Sequence, residues 1–365
     1  MRLAASSNER LYPVLQALLA ALLFGASAPL AKLLLGEIEP VSLAALLYLG
    51  SGLSLLLIKS LRRSGRQSVE AEAPVTRADL SWLAGAVFAG GVAAPIVLMF
   101  SLRNTPAATA SLLLNFEGVA TTVIAALVFK EAIGRRAGWA ILCTTAASVL
   151  LSLNLSGDWG LSIGALGILA ACVLWGIDNN FTRNISAKDP LTIVTIKGLG
   201  AGSFSLILAL ILRSPLPAFE VALRAMILGS LSYGLSVVLF VRAMRRLGAA
   251  RTSALFSAAP LAGVILSLLL FRELPNVWFV VALPLMLAGT LLVLNEQHGH
   301  RHVHANVAHE HRHQHADEHH AHEISGDAAY EQDHSHEHEH PQIEHEHGHL
   351  PDTHHRHTHG NSDTD

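Results

Sequence analysis

TPAATASLLLNFEGVATTVIAALVFKE, residues 105–131, lies without a gap on LGAARTSALFSAAPLAGVILSLLLFRE, residues 247–273. Eight of the 27 positions are identical, among them an Ala-Ala pair, a Ser and the closing Phe-basic-Glu. Earlier segments correspond more loosely. FGASAPLAKLLLGEIEP (24–40) matches WGIDNNFTRNISAKDP (175–190), and each ends in an acid followed by proline. Similar stretches recurring in the same order along the chain mark an internal duplication.

Around this repeat the chain is a series of apolar runs. A helix that crosses a bilayer needs about 20 mostly apolar residues. Ten runs meet that need, at about 12–35, 40–59, 80–102, 105–129, 135–154, 162–183, 190–212, 222–243, 250–271 and 276–294. The first is too long for a signal-peptide core and reads as a retained span. Pro29, Pro95, Pro260 and Pro284 fall inside runs, where neighbouring helices can satisfy the freed backbone groups. The short break between Thr105 and Ser111 predicts a tight hairpin between spans three and four. Five spans per copy is an odd number, so the second copy enters the membrane in the opposite sense. Inverted repeats of this kind are frequent in secondary transporters.

Charge divides the chain in two. All 22 histidines lie after residue 297. The body, with 22 basic and 14 acidic residues, is about +8, and the tail, with 3 basic and 14 acidic, about −11. The short loops set the orientation, because cytoplasmic loops collect Lys and Arg. Lys59, Arg62, Arg63, Arg66, Arg77, Lys130, Arg135, Arg136, Lys188, Arg245 and Arg246 all fall on one side. Arg103, Arg213, Arg224 and Arg272 fall on the other. Both termini are therefore expected in the cytoplasm of a cell, or inner-membrane, protein. The expected fold is an all-α polytopic membrane protein of ten transmembrane helices. Residues 1–11 form a cytoplasmic N-terminus, 12–154 and 155–297 two inverted five-helix repeats, and 298–365 a disordered His-rich tail. Cys143 and Cys172 both sit in apolar runs, so neither a disulfide nor a cysteine metal site is expected.

The chain resembles the EamA-type members of the drug/metabolite transporter superfamily over about residues 12–295. The resemblance rests on Phe24-Gly25 and Trp175-Gly176, the Ala-Ala/Ser-Leu entry to spans four and nine, and the terminal Phe-Lys/Arg-Glu. The familiar Glu-Pro of span four is split here, with Glu117-Gly118 in one copy and Ala259-Pro260 in the other. The resemblance implies a carrier that moves small metabolites, often outward, through a path between the halves.

Ionisable groups within a span are costly and usually face the bundle interior. Glu117 lies near the middle of its run, about 18 Å from either end. A carboxyl stripped of water there suits proton coupling or contact with a substrate cation; the alternative is a tie between helices. Asn115 points about 200° away from it on a helix and either bridges helices or touches substrate. Asp178, Asn179 and Asn180 spread over most of a turn and cannot all face one cavity. Asp178 can pair with Arg183, or the polar run can mark an unwound, cavity-lining turn. Lys197, about 10 Å into its span, can snorkel or pair with an acid. Tyr233 and Trp175 either line the path or pack. Gly198, Gly200 and Gly202 read as a close helix approach.

The tail has too few aliphatic residues to bury a core. Its alternating imidazoles and carboxylates, carried by His334, His336, His338, His340, His345, His347 and His349 among others, suit Zn, Ni, Co or Cu. No cofactor is required by the body. No nucleophile–base constellation, P-loop or dinucleotide fingerprint points to an enzyme. The expected partners are a small-molecule substrate and the lipid bilayer; nucleic acid is not expected, and a homodimer stays open. The leading expectation is a secondary transporter exporting or exchanging a small metabolite by alternating access. Two others remain: a divalent metal or metal-complex efflux carrier with the tail as collector, and a membrane-tethered metal buffer or sensor.

Overall fold

The computed structural model describes residues 7–64, 75–129, 135–154, 160–185, 188–247, 252, 255–256, 258–272 and 275–294, together with the backbone of four tail segments. Each of the ten apolar runs contains helix. The first span comprises α1 (Ser7–Gly25) and α2 (Ser27–Leu34), and the second is α3 (Pro40–Ser64). The third joins α4 (Leu80–Ala86) to α5 (Ala94–Arg103) through a π-helical turn at Val87–Ala93. The fourth is split into α6 (Ala107–Leu113) and α7 (Phe116–Phe129), and the fifth is α8 (Arg135–Ser152). The sixth is α9 (Ile163–Asn184) and the seventh α10 (Pro190–Ile211). The eighth joins α11 (Phe219–Gly229) to α12 (Ser236–Leu247) through a second π-helical turn at Ser230–Leu235. The ninth is α13 (Ala259–Phe271) and the tenth α14 (Val277–Leu294).

Seven of the ten spans are long and apolar enough, over the described residues, to cross a membrane: all but the fifth, ninth and tenth. The difference from ten has simple causes. α8 carries Arg135 and Arg136 at its start and Thr144, Thr145, Ser148 and Ser152 within it. The ninth and tenth are apolar but short over the described residues, at Ala259–Phe271 and Val277–Leu292.

The bundle differs from a water-soluble protein at its surface, which is apolar, and it buries some polar groups within an apolar core. Leu127, Ile163, Ile211, Leu216 and Phe219 are more than 70% exposed, while Asp178, Asn180, Ser148, Ser205 and Ser236 are buried. Such a surface needs lipid, and Asp178, Asn180, Ser148 and Ser236 find hydrogen-bond partners within the bundle. The chain is a multi-pass membrane protein.

The repeat of the sequence is also a repeat of contacts. α3 packs on α10, α8 on α14 and α6 on α13, each joining a span to its own counterpart. The third span packs on the sixth, through α5 and α9, as the eighth packs on the first, through α12 and α1. The fourth meets the sixth, through α7 and α9, as the ninth meets the first, through α13 and α1. This is the contact pattern of a pseudo-twofold axis between the halves. α3 and α10 approach closely because glycines face each other: a Cβ on Gly198 would lie 2.7 Å from Gly52 Cα. Small residues at such crossings let backbones close up.

Ion pairs fasten the ends. Glu39 accepts from Arg103 at 3.0 Å and Glu37 from Arg224 at 2.7 Å on one face; Lys59 meets Asp189 at 3.4 Å on the other. The Lys32 ammonium donates to the carbonyls of Leu102 and Thr105 where the third span ends.

Two short strands, β1 (Leu153–Asn154) and β2 (Gly160–Leu161), pair antiparallel between the halves. In the tail, short backbone segments pair. β3 (His298–Val303) pairs antiparallel with β6 (Glu344–His349), and β4 (Val307–His313) with β5 (His334–His340). Alternating composition has the period of an extended strand, and paired strands satisfy each other's backbone. The side chains of His334, His336, His338, His340, His345, His347 and His349, and the rest of the tail, lie outside the described residues.

Candidate functional site

The fourth span is not one helix. The turn tightens after Ala110, with Asn115 N–H bonding Leu112 O and Glu117 N–H bonding Leu114 O, both at 3.1 Å. These are three-residue steps in place of four. Cys172 Sγ of α9 reaches the carbonyls of Leu113 and Leu114 at this break, at 3.7 and 3.9 Å. Helix resumes at Phe116, so Glu117 stands in the first turn of α7, deep in the bundle, rather than in mid-helix.

Glu117 Oε1 accepts from Asn179 Nδ2 of α9 at 2.9 Å, and the same amide reaches Thr121 Oγ1 at 3.1 Å. Glu117 is half-buried and Asn179 exposed. A Cβ added to the neighbouring Gly118 would meet nothing within 4 Å. An interior carboxylate thus keeps accessible surface, with open space beside it.

One residue earlier, Asp178 turns the other way. Its two oxygens take Lys197 Nζ of α10 at 2.6 and 2.7 Å, and Thr182 Oγ1 donates to Oδ1 at 2.9 Å. Lys197 also reaches Thr182 Oγ1 at 3.3 Å. The side chains of this pair are 17% and 7% exposed, Lys197 and Asp178 respectively. Gly90 of the third span packs so tightly on Asp178 that a Cβ there would overlap the carboxylate. Asp178 and Lys197 lie within electrostatic reach of Glu117.

Gly90 has a second role. The N–H of Ala94 bonds Ala89 O in the π-helical turn, and the next residue, Pro95, has no N–H to give. The Gly90 carbonyl is left without a helical donor. It is served instead by Tyr48 Oη at 2.8 Å and Trp175 Nε1 at 2.9 Å. Tyr48 stacks on Tyr233 of the eighth span at 5.7 Å, and Phe24 meets Tyr233 edge-on at 5.9 Å. Tyr233 sits in the second π-helical turn, the counterpart of the one holding Gly90. Glu117 lies within electrostatic reach of both tyrosines. The carboxylates of spans four and six thus lie within electrostatic reach of an aromatic cluster from spans one, two, six and eight.

Of the residues singled out in the sequence, Glu117, Asp178, Asn179, Lys197 and Tyr233 converge here. Asn180 turns to the backbone, donating to Thr121 O at 3.1 Å and Gly176 O at 2.8 Å. Asn115 points away and ties span four to span ten through Thr290 Oγ1 at 3.0 Å. Two expectations are corrected. Asp178 pairs with Lys197, not Arg183, because α9 stays helical and carries Arg183 onto another face. For the same reason the polar run is no unwound turn; the break lies in the fourth span. Tyr48, Gly90 and Thr121 were missed, although Gly90-Gly91 inside an apolar run is itself a signal of close packing.

The glycines of the Phe24-Gly25 and Trp175-Gly176 pairs do equivalent work. Gly25 lets the first span approach the Ala259 carbonyl at the start of α13, and Gly176 lets the sixth approach Ala120 and Thr121. A Cβ on Gly176 would lie 3.0 Å from the backbone of both, and backbone cannot rotate aside. Gly176→Ala is expected to cost about 1–3 kcal/mol, measured as a lower unfolding midpoint of the purified protein in detergent.

Comparison with known proteins finds the duplication as well. The EamA-like transporter family model matches residues 11–153 and again 162–295, one match on each half. An uncharacterized transporter of Methanothermobacter thermautotrophicus is 28% identical over 300 residues, which is 78% of this chain and 87% of its own. A protein of known crystal structure is similar in fold, with a TM-score of 0.55 at 20% identity, covering 77% of this chain and 95% of its own.

Proposed function

Because the chain belongs to the EamA-like transporter family, we propose that it is a secondary transporter that exports or exchanges a small metabolite by alternating access between its two halves. The observation that carries this reading is the Glu117–Asn179 contact, an accessible carboxylate held between helices of opposite halves. Ten crossings, with two inverted five-helix units, fit the contact symmetry between the halves. The loop charges favour an inner-membrane protein with both termini in the cytoplasm. Glu117 is the coupling or substrate-contacting carboxyl. Asn179 orients it, and Tyr48, Trp175 and Tyr233 form the apolar wall. The Asp178–Lys197 pair fastens span six to span seven beside it.

A metal role belongs to the tail rather than to the path. The body has no histidine, and its described residues hold no group of three metal-ligating side chains. In the tail, the strand register sets His298, His300 and His302 opposite His349, His347 and His345. It also sets His309, His311 and His313 opposite His338, His336 and His334. Histidines in this number and alternation suit Zn, Ni, Co or Cu.

A tolerance screen of a strain lacking the gene, with and without the full chain, tests both statements. Small metabolites and added nickel, zinc or cobalt are the challenges. Removing residues 298–365 is expected to keep metabolite tolerance within about twofold of the full chain, an effect small against the tenfold steps of a lost coupling charge. Loss of metal tolerance alone on truncation favours metal efflux, and an unchanged metabolite profile on adding the full chain removes the metabolite reading.

A further inference from the structure

The charge inventory of the acidic corner narrows the substrate. Three charged side chains lie there: Glu117, Asp178 and Lys197. Lys197 is committed, with Asp178 at 2.6 and 2.7 Å and Thr182 at 3.3 Å. Glu117 has an amide partner and electrostatic reach to that pair, but no cation of its own in contact among the described residues. Among the described residues the corner, with Glu117 ionised, therefore carries one negative charge that no cation contacts.

The internal duplication supports reading Asp178 and Lys197 as one unit. Counted from Phe24 and Trp175, the counterpart of Asp178 is Ser27. Counted from Pro40 and Pro190, the counterpart of Lys197 is Leu47. Both members are charged in one half and both neutral in the other, as a self-compensating pair requires. The counterpart of Glu117, at the offset of the 105–131 match, is Ala259, so the charge of Glu117 has no mirror image.

Within electrostatic reach of Glu117 are Tyr48 and Tyr233, stacked on each other, with Phe24 edge-on to Tyr233 and Trp175 tied to the same Gly90 carbonyl as Tyr48. Aromatic faces attract cations and stack on flat apolar groups. An anion would have to draw Lys197 away from Asp178 and strand a buried carboxylate, a loss of roughly two to three orders of magnitude in affinity. A cation has only to displace one amide from Glu117, roughly a tenfold loss, and gains the carboxylate in return.

Resting on the transporter reading above, we propose that the substrate is an organic monocation, an amine with a flat apolar body. Its ammonium lies on Glu117 and its body lies against Tyr48, Tyr233 and Trp175.

A series with one body and four charges tests this: tryptamine, tryptophan, indole-3-acetate and indole-3-ethanol as cation, zwitterion, anion and neutral probe. Benzylamine and benzoate serve as a smaller pair. Binding is measured by scintillation proximity on the purified full chain in lipid nanodiscs, and flux in vesicles. Tryptamine or benzylamine is expected to bind at least tenfold more tightly than its anionic analogue, and Glu117→Gln to erase that preference. Tighter binding of the anion, zwitterion or neutral probe overturns the proposal, as does binding of neither amine or an undiminished preference in Glu117→Gln. The two readings fail separately. Vesicles that move indole-3-acetate or tryptophan but not amines keep the transporter and remove the monocation. A chain that binds amines through Glu117 but moves none of the probes keeps the monocation site and removes the transporter.

Discussion

Glu117→Gln is expected to lower transport per folded molecule by roughly ten- to a hundredfold, with little change in the amount of folded protein. The substitution is nearly isosteric, and a glutamine oxygen at the same position can still accept from Asn179 Nδ2, which now lies at 2.9 Å. What is lost is the charge. A hydrogen bond to a charged group contributes about 1.5–3 kcal/mol, and each 1.36 kcal/mol is tenfold. Folding loses little because Glu117 keeps accessible surface and bonds an amide rather than a buried cation. The measurement is the initial rate in vesicles, normalised to the monodisperse fraction in detergent. Wild-type flux from the variant would take Glu117 out of the path.

The second large effect lies next to it and has the opposite signature. Lys197→Met is expected to lose stability by about 3–5 kcal/mol, because it strands Asp178 in a nearly closed site. Asp178 is 5% exposed and packed against Gly90, with little room for water. Asp178→Asn alone leaves an unpaired ammonium and is expected to suffer similarly. The double variant Asp178→Asn with Lys197→Met removes both charges and is expected to recover most of the folded protein. It should also transport within a few-fold of wild type, because replacing a buried pair together is often close to neutral. A double variant that folds but transports no better than Lys197→Met would mean that Lys197 touches the substrate. That outcome would also weaken the charge inventory on which the monocation rests.

The two experiments separate two uses of an interior carboxylate. Asp178 and Lys197 are 19 positions apart in the chain, and their pairing joins span six to span seven within one half. The Glu117–Asn179 contact crosses from one half to the other. If the halves rock against each other in transport, a contact between them must loosen, whereas a pair within one half is carried along. A single amide bond is cheap enough to exchange in each cycle; a buried bidentate ion pair is not.

Much of this was legible in the residues. The ten runs are set by hydrophobic length alone. The gapless match of 105–131 to 247–273 implies that span four relates to the second half as span nine relates to the first, and α7 on α9 mirrors α13 on α1. Glu117 stood out because a carboxyl in a long apolar run is costly wherever it points. The partner of Asp178 was less accessible. Arg183 and Lys197 were both near enough in sequence, and the choice turned on whether α9 stayed helical through three polar residues.

The sequence by itself determined the apolar runs, the duplication and the charge contrast between body and tail. These follow from hydrophobic length, residue identity and charge, which are local or additive quantities. Only the tertiary structure decided that the fourth span breaks just before Glu117, that Pro95 leaves the Gly90 carbonyl to Tyr48 and Trp175, and that Lys197 answers Asp178 while Glu117 faces open space. Those outcomes depend on which helix faces lie within hydrogen-bonding distance. A one-dimensional pattern gives each helix its faces, but only packing against the others selects which faces meet.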